Sequence, residues 1–472
     1  MRLLYNLLFT VFFLLSAPFY FLKMWRRGNW RAGFWQRFGF YSRATRRQLG
    51  GEKPVIWMHA VSVGEVNICV PLQQELAKRI PDFRWVVSTT TSTGMGELQK
   101  KLPDDVCKLY YPVDLFWPVA RAWRAIRPAA VILMEAEIWP NFLWRAMDAS
   151  VPVMLVNARL SDRSHRGYRR GRFFFGPIMR SLALVAAQSE TDRKRWQEVG
   201  CPPERVTCTG NLKFDIASKT DVGKLDVATL LKQAGMSNRG PIIVAGSTHA
   251  GEEAILGRIF KRLRAGISGL VLIVVPRHME RAATVERDLQ AVGVACFRRS
   301  MIGKGVQAVD GCGCLLVDST GELNEFYRLA DLVFIGKSLA GKGGQNPIEP
   351  AAQGKPVVVG PHMENFRDVA GMMKAAGAML QVSDETELEE QVHAWLRSVD
   401  KRREAGLQAQ AVVRANQGSL SRAVNHCLET LIRNLDPQWA SGVSESGIDN
   451  LSKSGIPIPR SVDFVKKKRL RT

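Results

Sequence analysis

GGQNPIEPAAQGKPVVVGP, residues 343–361, places a glycine-rich loop before a short helical stretch and the strand-like run Pro356–Val359. Glycines let a backbone approach a phosphate closely, and free N–H groups at a helix start favour its charge. Glu349 falls on the first turn of that helix, where a carboxylate can accept two hydrogen bonds from a ribose diol. The segment reads as a nucleotide-sugar pocket. PVIWMHAVSVGEV, residues 54–66, repeats the strand–loop–helix design in the first half, with Glu65 at its tip. Two such halves facing a cleft suit transfer of an activated sugar.

Working outward, apolar runs alternate with amphipathic stretches. Strands are expected at Val55–His59, Trp85–Ser88, Ala130–Met134, Val153–Val156 and Leu182–Ala187, then at Ile242–Ala245, Leu270–Val275, Leu315–Asp318, Leu332–Ile335 and Val357–Val359. Such alternation predicts parallel, doubly wound sheets, hence an α/β chain of two Rossmann-like domains. The first domain is expected at 51–212 and the second at 241–436. The Lys-rich stretch 213–240 reads as a linker, and the Ser/Gly/Pro-rich basic tail 437–472 as disordered. In open α/β sheets ligands bind beyond the carboxyl ends of strands. That rule singles out His59–Glu65, Thr89–Gly96, Glu135–Glu137, Ser247–His249, Arg277–His278 and Gly336–Glu349.

Charge is unevenly placed. The net charge is +22, residues 1–51 hold nine Lys/Arg and no acid, and KKKRLRT (466–472) adds five more. Residues 3–22 are uncharged, long enough for a bilayer core, and followed by Lys23-Met-Trp-Arg-Arg. Residues 1–22 are therefore expected to be a membrane anchor, as a single-pass span or a re-entrant segment, and 23–50 a basic, aromatic juxtamembrane segment on the cytoplasmic side. Trp25, Trp30, Phe34, Trp35, Phe38 and Phe40 interleave with arginines there, which suits anionic headgroups better than nucleic acid. The eight cysteines are scattered without a zinc spacing, so buried thiols are expected, not a disulfide framework.

Each motif also has a plain structural reading. Ser62-Val-Gly-Glu65 has the form of a capping box, and the helix dipole is expected to hold Glu65 ionised. In MEAEIWP (134–140) one carboxylate could cap the next helix while the other faces the cleft; two acids with no nearby histidine do not predict a metal. Ser247 and Thr248 are expected as helix caps or as contacts to a donor anion, with His249 beside them. Arg277 can bind phosphate bidentately, and Gly321-Glu-Leu323 opens a helix whose N–H groups could do the same.

Together the ordered series HAVSVGEV, STTTSTG, MEAEIWPN, NARLSDRS, GNLKFD, GSTHAGEE, PRHMER, GELNEFY, GGQNPIEPAAQGKPV and GPHMENF resembles the bacterial Kdo (3-deoxy-D-manno-octulosonic acid) transferases of lipopolysaccharide synthesis. The resemblance runs from the N-terminal anchor to about residue 430. It implies an inverting GT-B-type enzyme with CMP-Kdo as donor and the tetraacyl lipid A precursor as acceptor. It implies an inner-membrane location, with anionic lipids as a further partner and no nucleic acid. It also implies no metal or other cofactor. By the family pattern Glu65 is the general base, and Glu135 and Lys213 support the transition state. Arg277, His278, Gly321, Glu322, Leu323, Asn346, Pro347, Ile348 and Glu349 would hold CMP. Gln345 stands where the family commonly has histidine, so no charge role is carried over to it. A nucleotide-sugar epimerase of similar shape and a membrane-anchored nucleic-acid binder are the competing readings.

Overall fold

The computed structural model describes residues 1–26, 31–218, 225–236, 240–304 and 311–434. The chain divides into two compact units, Met1–Leu212 with Gly418–Thr472, and Lys213–Gln417.

The first unit is built on seven parallel strands: β1 (Val55–His59), β2 (Arg84–Thr89), β3 (Cys107–Tyr110), β4 (Pro128–Met134), β5 (Val153–Ala158), β6 (Leu184–Ala187) and β7 (Val206–Cys208), in the order β3-β2-β1-β4-β5-β6-β7. Helices cover both faces, so the inner strands read as continuous apolar runs; all five residues of β1 are buried. One face is an aromatic core in which Trp57 of β1 meets the Phe142 ring edge-on at 4.9 Å, with Trp123 alongside. Trp57 Nε1–H reaches Ser88 Oγ (2.8 Å), so its one polar atom is satisfied inside that core.

The second unit repeats the plan with β8 (Ile242–Thr248), β9 (Val271–Pro276), β10 (Cys296–Arg298), β11 (Cys314–Leu316), β12 (Leu332–Ile335), β13 (Val357–Val359) and β14 (Met379–Gln381), ordered β10-β11-β9-β8-β12-β13-β14. Both sheets reverse direction at one place, between β1 and β4 and between β8 and β12. Those are the crevices where a doubly wound sheet receives ligands. Backbone strain collects at the same strand ends. Glu135, Asn157, Ser247 and Lys337 are left-handed (φ 56°, 56°, 56° and 59°) although none is glycine. Gly336 precedes Lys337, and a Cβ there would lie 2.3 Å from the Ser247 carbonyl oxygen, so the β8 and β12 loops touch only through glycine.

Three expectations are corrected. The described part of 213–240 is not a linker: Lys213–Ser218 and Val227–Gln233 are helices, and Phe214, Val227, Leu230, Leu231 and Ala234 enter the second unit's core. Its lysines hid a helical apolar spacing. The second domain does not run to 436, because the helix Ser419–Asn434 belongs to the first unit, where it packs on the helix Val63–Arg79 and on β5 and β6. Leu420, Ala423, Val424, Cys427, Leu428 and Leu431 form its buried stripe, and Arg422 Nε donates to the Thr209 carbonyl (2.9 Å). Strands β3, β7, β10 and β14 were not expected; each has only three or four residues at or near a sheet edge. The tail 437–472 lies outside the described residues.

An apolar helix, Arg2–Arg26, precedes the first sheet, and its window Arg2–Phe19 is long and apolar enough to cross a membrane. It rests on the first unit near both ends. Arg2 makes a two-pronged pair with Asp148 (2.8 and 2.9 Å), Tyr5 donates to Asp114 (2.8 Å), and Asn6 exchanges bonds with Asn141. Further along, Phe13 meets Phe38 and Phe21 meets Phe34, both edge-on at 6.4 Å.

Candidate active site

In the first unit the loop after β1 is locked from three sides. Glu65 Oε2 accepts the Val61 N–H (2.7 Å), Glu65 Oε1 accepts from Ser62 Oγ (3.1 Å), and Thr89 and Thr91 hydroxyls both donate to the Val61 carbonyl. Close packing of this threonine motif explains Gly94, where a Cβ would come within 2.5 Å of Thr89 Oγ1. The capping box is thus real, but its carboxylate takes the Val61 N–H and not that of Ser62.

The expectation that the dipole keeps Glu65 ionised is overturned. Burial, then the nearby Glu135 carboxylate, then Glu137 raise the Glu65 carboxyl to about 8, outweighing the bonds from Val61 and Ser62. Glu135 and Glu137 are half-buried at the end of β4, across the β1/β4 reversal. Glu137 accepts the Trp139 indole N–H (2.7 Å), and its own carboxyl is raised, chiefly by burial. Neither acid caps the next helix. Asp114 does so, accepting the Asn141 and Phe142 N–H groups (3.1 and 2.9 Å). Sequence reasoning missed Asp114 because it comes from a different loop.

His59 ends β1 fully buried, stacked on Tyr111 at 3.7 Å, with Nδ1 on the Ser88 carbonyl (3.0 Å). Burial pushes it down to about 3, so it is a neutral wall and not a proton carrier. Asn157, also missed, accepts the Leu212 N–H and its carbonyl takes the Gln188 amide. Its sequence signals were its place at the end of an apolar strand and at the head of the NARLSDRS motif.

In the second unit the expected nucleotide and donor residues follow the ends of β8, β9, β11 and β12. Half-buried Glu349 accepts from Asn346 Nδ2 (3.0 Å), whose Oδ1 takes the Ile348 N–H. Burial raises the Glu349 carboxyl, while the Arg277 guanidinium acts to lower it, so the two face each other's charge. Arg277 and His278 are exposed beyond β9, and the His278 ring stands edge-on to His249 at 6.2 Å. Pro347 and Gln345 flank Asn346 in this loop. Glu322, next to left-handed Gly321 (φ 86°), pairs with Arg299 (3.2 Å) and precedes the short helix Leu323–Leu329, which packs beside the Glu349 helix.

Ser247 and Thr248 cap no helix. They are the bulged end of β8, and the following helix Glu252–Gly266 starts at Gly251 without a side-chain cap. Thr248 donates to buried Glu253, which Arg281 grips with both nitrogens (2.8 and 3.2 Å). Lys213 belongs to this unit, with its ammonium 5.1 Å from the Phe366 ring centroid. Glu349→Ala is expected to weaken CMP binding by about 1.5–3 kcal/mol, the worth of hydrogen bonds to a charged group. Calorimetry that finds full CMP affinity in the folded variant removes Glu349 from the site.

Residues 32–216 match the family model for 3-deoxy-D-manno-octulosonic-acid transferase (kdotransferase). The chain is 33% identical to the 3-deoxy-D-manno-octulosonic acid transferase of Haemophilus influenzae over 85% of its own length and 92% of that protein. It is 35% identical to the Bordetella pertussis enzyme of the same name, over 78% of its length and 86% of that protein. The chain belongs to the Kdo transferase family. It is a glycosyltransferase of GT-B-like fold. A UDP-N-acetylglucosamine 2-epimerase structure superposes with a TM-score of 0.57 over 81% of this chain and 96% of that one, at 13% identity, which speaks to the fold alone.

Proposed function

We propose that this Kdo transferase moves Kdo from CMP-Kdo to the tetraacyl lipid A precursor at the inner membrane, with inversion, and that Glu65 is the general base. The observation that carries the reading is the raised carboxyl of Glu65, set by burial and two neighbouring acids at the β1/β4 reversal. An acceptor hydroxyl must lose a proton as its oxygen bonds to the anomeric carbon, and a base with an affinity near neutral pH does this best. The bond from that carbon to the CMP phosphate breaks on the opposite face, and the electron pair leaves with CMP. Arg277 and Lys213 are assigned to the phosphate charge and Glu349 to the ribose diol, so this reading calls for no metal or other cofactor. Glu135 is assigned a supporting role, holding the proton affinity of Glu65 high.

The helix Arg2–Arg26 is assigned as the membrane anchor, with the two units on the cytoplasmic side. At roughly 1.5 Å per residue it is about 37 Å long, and contacts near both ends hold it along the first unit. That placement favours a helix lying in the membrane face over a single-pass span. Its exposed Leu3, Leu4, Leu7, Leu8, Leu15 and Phe19 would then meet lipid.

Incubating the purified chain with CMP-Kdo and the tetraacyl precursor, and weighing the lipid product, tests the assignment. A lipid heavier by one or more Kdo units, with release of CMP, is expected. CMP release without a heavier lipid would reject the acceptor.

A further inference from the structure

A large basic cleft opens at the other end of the first sheet, away from the acidic cluster. It has a volume of about 810 Å³ and reaches Pro54 and Val55 at the start of β1 and Ala129 at the start of β4. Glu65 and Glu135 follow the far ends of those strands, roughly 13–20 Å away at about 3.3 Å per residue. The transfer reaction proposed above assigns no role to this cleft.

Its walls carry an unbalanced charge. Arg46, Arg121, Arg124 and Arg127 line it, and among the described residues none of them pairs with a carboxylate. Arg84 adds a fifth guanidinium, held rigid by the carbonyls of Leu49, Gly50, Gly51 and Lys53 at 2.6–3.0 Å. Carbonyls orient a guanidinium without cancelling its charge. Glu52 is the single acid on the wall. Other arginine clusters of this protein do find acids, as Arg258 and Arg262 do with Glu385 and Glu389.

The rim is aromatic and lies beside the N-terminal helix. Arg121 sits over the Phe40 ring (4.3 Å) and the Trp117 ring (4.9 Å). Trp117 stacks on Phe38, which meets Phe13 of the helix. Trp35, Phe40, Phe116 and Trp117 are all exposed. Exposed aromatics beside unpaired arginines suit the headgroup layer of a membrane and are costly in open water.

We propose that this cleft binds the phosphodiester headgroup of an anionic membrane phospholipid, a lipid site separate from the acidic cluster. The proposal rests on the assignment of the N-terminal helix as the anchor. Guanidinium forks match phosphate oxygens geometrically, and several of them on a concave wall hold one headgroup where a flat basic surface would hold none in place.

The full-length protein is to be partitioned onto vesicles of phosphatidylcholine alone and of an equimolar mixture with phosphatidylglycerol, over a range of salt. The wild type is expected to bind both, and the anionic vesicles more tightly in a salt-sensitive way. Arg124→Gln/Arg127→Gln removes two exposed charges, so folding should be kept. It should leave binding to phosphatidylcholine unchanged and lower the anionic gain about fivefold per charge, roughly 25-fold in all. Arg43→Gln/Arg47→Gln, an equal charge change on the helix Arg43–Leu49 but off the cleft wall, should lose far less. Equal losses from the two pairs would reduce the cleft to a diffuse positive field and overturn the proposal. Inorganic phosphate that abolishes the anionic gain at low concentration, or an oligouridine that displaces the vesicles, would also overturn the lipid assignment. Loss of phosphatidylcholine binding with the anionic gain intact would remove the anchor and leave the cleft standing.

Discussion

Glu65→Gln is expected to cut turnover by about 10²–10⁴-fold while CMP still binds, because an amide of the same shape cannot take the acceptor proton. The structure sharpens this expectation. Glu65 accepts the Val61 N–H and the Ser62 hydroxyl, and a glutamine oxygen keeps one of these bonds, so the helix start survives with little change in thermal stability. A purely structural Glu65 predicts the reverse, some loss of stability with activity intact.

Proton affinity supplies a second readout. With the carboxyl raised to about 8, the base is protonated and idle at low pH, so kcat/KM should rise with unit slope up to about pH 8 and then level. Glu135→Gln removes the largest like-charge contribution, and the midpoint should move down even though turnover also falls. A profile flat between pH 6 and 9, or a near wild-type rate for Glu65→Gln, would remove Glu65 as the base.

The second large effect is expected at Glu252, fully buried at the start of its helix. Its Oε2 accepts the His249 and Lys337 N–H groups (both 2.8 Å), and its Oε1 those of Ser338 and Leu339 (both 3.0 Å). One carboxylate thus ties the loop after β8 to the loop after β12 at the reversal point of the second sheet. Glu252→Ala leaves these backbone donors without an acceptor. The cost should be on the order of 3–5 kcal/mol, comparable with stripping one partner from a buried charge. For a unit of this size that is a fall of about 10 °C in Tm, with faster amide exchange at 337–339. Glu252→Gln, with a single acceptor oxygen, should fall between. Unchanged melting and exchange in the alanine variant would show that the loops hold themselves.

Much of this was legible in the chain. Strands buried on both faces must be apolar throughout, so β1, β4, β5, β8, β9 and β12 stood out as runs. The polar residues directly after them, Glu65, Glu135, Arg277 and the Asn346–Glu349 turn, were therefore legible as candidates. The edge strands were not, because three or four residues at a sheet margin carry no period of their own. Ser247 and Thr248 resembled caps because a Ser-Thr pair before acids has that local form, whereas the bulge at the end of β8 turns them to the strand.

The sequence by itself determined the alternation, the strand-end positions and the uncharged N-terminal helix, since each is written in neighbouring residues. Only the tertiary structure decided the proton affinity of Glu65. Its local neighbours and the helix dipole favour the charged form, but burial and two carboxylates from β4, some seventy residues onward, outweigh them. The same holds for the helix Ser419–Asn434, whose apolar stripe returns to the first sheet. A stripe records that a face must be buried, and only the assembled core determines what it is buried against.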